Sequence, residues 1–505
     1  MMSATYTNES QAFVDLLKKL KAYSEAVGML YWDLRTGAPR KGVPGRSETI
    51  GMLSTDVFKL SVSDEMGAYL DTLEAKMDEL DAPLKKMVQD TRKDYNRNKL
   101  LPPELYQEYV VLTSKAESAW EEAKHSGDYD TFKPFLKDIV KISQQFIDYW
   151  GVKETRYDTL LDMYEPGMTV AELDRIFGDL RDQLVPLVEE VKQADNKPAF
   201  AFLKDTYSIE GQKSFSNFIL NQMGFDFTAG RLDESVHPFA IGLNLGDVRI
   251  TTNYLEKDVA SAIFSSLHEG GHALYEQNIS PAFAGLPLCE GTSMGIHESQ
   301  SRLWENLVGR SLPFWKQYYG ELQRTFPSQL SQVKAEDFYR AINRVEPSLI
   351  RIEADEVTYN LHIIIRYEIE KMLFNDNLSV DDLPEVWNDK YESYLGVRPT
   401  NNGEGVLQDV HWSGGSFGYF PSYALGNMYA AQMMHSMRKG MPDLDARIEN
   451  GELAPIKAYL TEHVYQYGKL KTPSDIIQSM TGEALNPQYL VDYLTKKTKE
   501  VYQLS

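Results

Sequence analysis

The chain has 505 residues, 42% hydrophobic and 25% charged, enough apolar material for a large buried core. A formal net charge of −22, from 74 acids against 52 bases, repels phosphate backbones and argues against nucleic acid as a partner. No run of about 18 apolar residues occurs, so no membrane span is expected.

The first twenty residues lack a basic start, an apolar core and a small-residue cleavage site, and do not read as a secretory signal. A single cysteine, Cys289, excludes an internal disulfide framework and fits a reducing, cytoplasmic setting. Over 8–31, Phe13, Leu16, Leu17, Leu20, Val27 and Leu30 recur at helical spacing, with Asn8 as the expected N-cap and Gln11 completing a capping box. Amphipathic helical stretches follow at 65–98, 103–125, 131–152, 170–195, 209–223, 313–324, 335–345, 453–467 and 487–503. Their breaks carry turn residues: Leu101-Pro102-Pro103, Ser126-Gly127-Asp128 and Glu165-Pro166-Gly167. With neither a linker nor a repeat, the chain reads as one mainly α catalytic unit. A helical N-terminal part covers 1–235, a core with the metal motifs 236–430, and C-terminal helices 431–505. The exception to helix is 237–254, where alternation around Val248, Ile250 and Thr252 predicts a hairpin or small sheet, with turns at Gly242 and Gly246.

Asp258 to Gln277 reads as a helix N-capped by Asp258. It carries His268-Glu269-Gly270-Gly271-His272, so two imidazoles project from one face a turn apart, beside a carboxylate that can act on a metal-bound water. Nine histidines and 74 acids would produce about 0.02 such patterns by chance, so the pair is read as a Zn²⁺ site. Gly270 and Gly271 each cost a helix about 1 kcal/mol relative to Ala, a local violation that fits close backbone approach. Catalytic zinc needs a third protein ligand and an open fourth position. Glu298 and His297, in 295–302, both compete for that role; neighbouring helical residues point about 100° apart, and geometry alone favours neither.

Segment 349–366 is predicted as an apolar helix with a polar stripe of Arg351, Asp355, Thr358, His362 and Arg366. Arg351 offers a fork that fits a carboxylate. Segment 405–426 gathers His411, Trp412, five glycines, Tyr419 and Tyr423 into a loop suited to gripping substrate and stabilising an oxyanion.

Taken in order, HPF at 237–239, Asp247-Val-Arg249-Ile-Thr251, HEGGH at 268–272, HESQSR at 297–302, the 349–366 segment and the HW…GYFP loop resemble the carboxypeptidase Taq family of metallocarboxypeptidases. The resemblance runs from Trp32-Asp33 to the C-terminus. It implies a helical, two-walled groove of the neurolysin and angiotensin-converting-enzyme type, with a small β-sheet near the site, and a homodimer. It also implies His268, His272 and Glu298 as zinc ligands, with Co²⁺ as an expected substitute, and Glu269 as general base. His411 or Tyr423 would then stabilise the oxyanion, while Arg249, Arg351 and Tyr419 hold a peptide by its free C-terminal carboxylate. The chain departs from related enzymes at Arg302, where an acid four residues after the ligand Glu would orient a zinc histidine; the partners of the histidines stay unassigned. Two rivals remain: an oligopeptide endopeptidase or dipeptidyl carboxypeptidase with the same metal chemistry, and a helical peptide-binding scaffold with structural zinc.

Overall fold

The computed structural model describes residues 8–504. Helices follow one another as Asn8–Thr36, Val43–Ser61, Asp64–Glu74, Ala82–Leu100, Pro103–Ser126, Tyr129–Trp150, Arg156–Leu161, Val170–Lys192 and Ile209–Met223 before the first strand. Local chemistry sets their ends. Asp81 caps the fourth helix through Leu84 N, and Gly127, at φ 71°, closes the fifth immediately before Asp128 caps the sixth. The single helix expected over 65–98 is therefore two, divided where Asp81 and Pro83 start a new N-terminus. The first helix runs on to Thr36. Asn8, the first described residue, already lies within it and is not its N-cap, and the Gln11 amide donates to Asp15 Oδ1 at 2.8 Å.

Three strands form one sheet in the order β1-β3-β2: β1 Gly230–Glu234, β2 Ala240–Asn244 and β3 Asp247–Thr252. β2 and β3 make the expected antiparallel hairpin, while β1 adds a parallel edge that has no apolar alternation in sequence to reveal it. Gly246 lies in the hairpin turn. Gly242 is inside β2, paired with Val248 beside a bulge, and is not a turn. Val248 and Ile250 are buried, placing Arg249 on the opposite face of β3.

Most of the buried apolar side chains form one continuous cluster from Phe13 to Tyr502, so the N-terminal helices, the motif-bearing middle and the last helix, Gln488–Tyr502, share a core; Leu101, Ile142 and Phe146 form a small separate one. At its centre, helix Val259–Gln277 packs on helix Met294–Arg302, which packs in turn on helix Pro421–Gly440. Among the described residues, no helix is long and apolar enough to cross a membrane.

Candidate metal centre

Asp258 caps the HEGGH helix by accepting from Ser261 N. More than three turns on, the helix must lie almost in contact with the segment opposite it. A Cβ on Gly271 would stand 2.6 Å from Gln300 O and 2.7 Å from Ser301 Cα, while Gly270 faces Leu220 and Met223. Gly271 thus lets the histidine-bearing backbone meet the Glu298 helix at a separation no side chain would allow. Gly426 does the same on the far side, where an added Cβ would be 2.5 Å from Glu298 Cγ.

This packing brings donor atoms of His268, His272 and Glu298 to within 4.8 Å of one another. Glu298 Oε2 is 3.7 Å from His268 Nε2 and 3.6 Å from His272 Nε2, while Oε1 accepts from Arg302 Nε at 2.7 Å. The opposite ring nitrogens are already committed. His268 Nδ1 lies 2.9 Å from Glu305 Oε2, and His272 Nδ1 lies 2.6 Å from His297 Nδ1. His297 Nε2 is 2.8 Å from Glu276 Oε1. A carboxylate only accepts, so His297 donates to Glu276 through Nε2; when its Nδ1 carries no proton it accepts there, and His272 donates to it through Nδ1. In those tautomers the two Nε2 atoms that face Glu298 carry lone pairs, as a divalent cation requires. This donor set fits Zn²⁺: two imidazoles and one carboxylate, each oriented from behind.

His297 is thereby placed behind His272, outside the group of His268, His272 and Glu298 whose donor atoms converge. The departure at Arg302 is answered as well. The acid that orients His268 is Glu305, seven residues after Glu298 and inside the π-helical turn Leu303–Val308. Burial works against ionisation of Glu305, but Arg302, His268 and Arg310 outweigh it and hold its carboxyl well below the ordinary range. Glu276 continues the fourfold spacing of His268 and His272, a signal present in the sequence. No comparable signal marks the π-turn. Glu269 is 6% exposed; burial pushes its carboxyl up to about 7, against the pull of His268.

The 349–366 segment is not one helix. Arg351–Glu353 form a single 3₁₀ turn, and the α-helix runs Thr358–Asn375, because Asp355 accepts from Val357 N, Thr358 N and the Thr358 hydroxyl and so starts it. Arg351 is buried. Its Nε donates to Asp409 Oδ1 at 2.9 Å and its Nη1 to Tyr359 OH at 3.1 Å, and the guanidinium lies over the Tyr423 ring. His411 Nε2 is 3.2 Å from Tyr423 OH, and Tyr419 packs edge-on against Tyr423. Arg302, which holds Glu298, stacks on Tyr359, so Arg351, Tyr423, His411 and Tyr419 join the metal residues through the Tyr359 ring. Burial lowers the His411 imidazole to about 4, leaving it neutral near pH 7. Arg249 is tied elsewhere: both oxygens of Asp247 accept from it at 2.7 Å, and it lies over Trp32. Asp409 and Tyr359, which position Arg351, had no mark in the sequence pattern.

Known proteins resemble the chain over nearly its whole length. The sequence profile described as carboxypeptidase Taq (M32) metallopeptidase matches residues 12–498. Carboxypeptidase 1 of Bacillus subtilis (strain 168) is 52% identical over 500 residues, covering 99% of both chains. Thermostable carboxypeptidase 1 of Thermus thermophilus is 40% identical, covering 95% of this chain and 96% of its own. The crystal structure of the M32 carboxypeptidase from Deinococcus radiodurans R1 superposes with a TM-score of 0.95 at 36% identity, over 98% of this chain and 100% of that one. The chain belongs to the carboxypeptidase Taq family of metallopeptidases and is a metallocarboxypeptidase, a hydrolase of peptide bonds.

Proposed function

We propose that this enzyme works with one Zn²⁺ per chain, held by His268, His272 and Glu298, to release single amino acids from peptides with a free C-terminal carboxylate. The observation that carries the reading is the commitment of both Nδ1 atoms to Glu305 and His297, which leaves two Nε2 lone pairs converging on Glu298 Oε2. A divalent ion there supplies Lewis acidity and an acidified water. Glu269 takes the proton of the attacking water and passes it to the leaving amine, a task suited to a carboxyl raised to about 7. The neutral His411 and Tyr423 offer hydrogen-bond donors to the developing oxyanion, and losing one such donor typically costs about 10²–10³ in kcat. Arg351, with Arg249 and Tyr419, receives the terminal carboxylate. We place the enzyme in the cytoplasm as a homodimer, from its single buried cysteine and the family resemblance, and treat 1–505 as one catalytic unit. Co²⁺ is the expected substitute metal.

An endopeptidase is disfavoured by relatives that are carboxypeptidases. A structural-zinc scaffold needs no base, and would close its site with a fourth protein ligand. Incubating metal-loaded enzyme with a blocked dipeptide and with its C-terminally amidated form tests the reading. Free amino acid should appear from the first and almost none from the second; equal cleavage of both would overturn it.

A further inference from the structure

The polar stripe of helix Thr358–Asn375 continues past Arg366: four residues on stands Glu370. It is fully buried and accepts three hydrogen bonds, from Tyr157 OH at 2.6 Å, Trp412 Nε1 at 2.7 Å and Gly418 N at 2.8 Å. One turn earlier, Arg366 Nε donates to Asp409 Oδ2 at 2.6 Å. One helix face therefore grips the loop 409–418 at both ends, with His411 between the anchors and Tyr419 directly after the second. Gly418, at φ 90°, is also pressed against the backbone of Leu160, 2.8 Å from where its Cβ would be. That backbone belongs to helix Arg156–Leu161, which supplies Tyr157. Burial pushes the Glu370 carboxyl up to about 7, while its three donors pull it back towards the ionised, accept-only form that suits them.

We infer that Glu370 is a positioning residue for this loop: through Trp412 and Gly418 it fixes where His411 and Tyr419 stand relative to the metal ligands. The inference rests on the proposed roles of His411 and Tyr419 in handling substrate. None of the three groups bonded to Glu370 is a metal ligand, so its effect should leave metal binding untouched.

Glu370→Gln in the full, metal-loaded chain tests this. The amide turns an acceptor oxygen into a donor facing donors, so at least one bond is lost without a change of size. Metal stoichiometry should stay unchanged, kcat/KM should fall about 10- to 100-fold, as misplacement near 1 Å can produce, and hydrogen exchange over 411–418 should quicken. On a His411→Ala/Tyr419→Phe background, the same change should cost less than about 3-fold, because the groups it positions are already gone. The same fold-loss on both backgrounds, or unaltered exchange over the loop, overturns the inference. If His411→Ala/Tyr419→Phe keeps full activity, the proposed substrate roles fail, and hydrogen exchange alone then decides whether Glu370 braces the loop. Should Glu370→Gln not fold, Trp412→Phe removes one donor without altering charge, and a several-fold loss with the same non-additivity is the expected result.

Discussion

His297 stands with its Nδ1 2.6 Å from Nδ1 of His272, and both residues come from motifs that in isolation read as metal-binding. Of the two, only His272 aims a ring nitrogen at Glu298 Oε2; His297 bonds Glu276 instead. Partners of this kind typically contribute 10- to 100-fold to metal affinity, roughly 1.4–2.7 kcal/mol. His297→Ala and Glu305→Ala should therefore each weaken zinc by about that factor yet load fully at excess metal. Glu298→Ala, which removes a ligand, should not load. Competition against a graded series of chelators measures all three, and a His297 variant that loses zinc more completely than Glu298→Ala would reverse the assignment.

Glu269→Gln separates base from ligand. The metal donors are untouched, so zinc content should match the native enzyme, while kcat falls by about 10²–10⁴, the usual range for removing a general base. Metal analysis and turnover of one preparation suffice. A variant keeping its zinc and more than about a tenth of native kcat would mean another group takes the proton.

Much of this site was legible because helical spacing is a strong constraint. His268 and His272, four apart with an acid between, admit few other readings, and Asp258 announced the helix start. Gly270 and Gly271 were anomalous in a helix; the Leu220 and Met223 side chains explain the first and the Gln300–Ser301 backbone the second. What escaped depended on non-local geometry. Glu305 reaches His268 from a π-turn that no periodicity encodes, and Arg351 left its expected helix because Asp355 captured the amides that start it. β1 pairs in parallel with β3 through backbone groups alone, and its GRLDE sequence has no apolar face to announce it.

Glu165 sets a pH dependence of stability. It is 1% exposed and accepts from Ser293 Oγ, Gly295 N and Tyr429 OH at 3.0–3.1 Å, holding the start of the Glu298 helix. Burial raises its carboxyl from 4.5 to about 7. A raised value means the folded protein favours the neutral acid. The resulting stability is present below about 4.5 and is lost as pH climbs to about 7, roughly 3 kcal/mol in all. Glu165→Gln stays neutral throughout. Its melting temperature relative to the native protein should rise between about pH 5 and about pH 8, measured at saturating metal in both. A constant difference across that range would show that Glu165 does not titrate there.

The two arginines proposed for the substrate carboxylate are not equivalent. Arg249 faces both oxygens of Asp247 through Nε and Nη2, one cation against one anion, so its charge is already balanced before a peptide arrives. Arg351 shares the single carboxylate of Asp409 with Arg366, whose Nη2 lies 2.6 Å from Asp409 Oδ2. Two guanidiniums against one acid leave an excess positive charge beside Tyr423 and His411, where an anionic terminus would be balanced. A hydrogen bond to a charged group contributes roughly 1.5–3 kcal/mol, so removing either arginine from a working clamp should lower kcat/KM for free-carboxylate peptides at least about 10-fold. Arg351→Ala should give the larger loss. It also leaves Asp409 with one partner, so the amidated peptide is the necessary control: its slow cleavage has no carboxylate contact to lose. A selective loss on the free acid identifies the clamp. Equal losses on both substrates for Arg351→Ala, with a selective loss for Arg249→Ala, would move the clamp to β3 and leave Arg351 as an anchor for Asp409 alone.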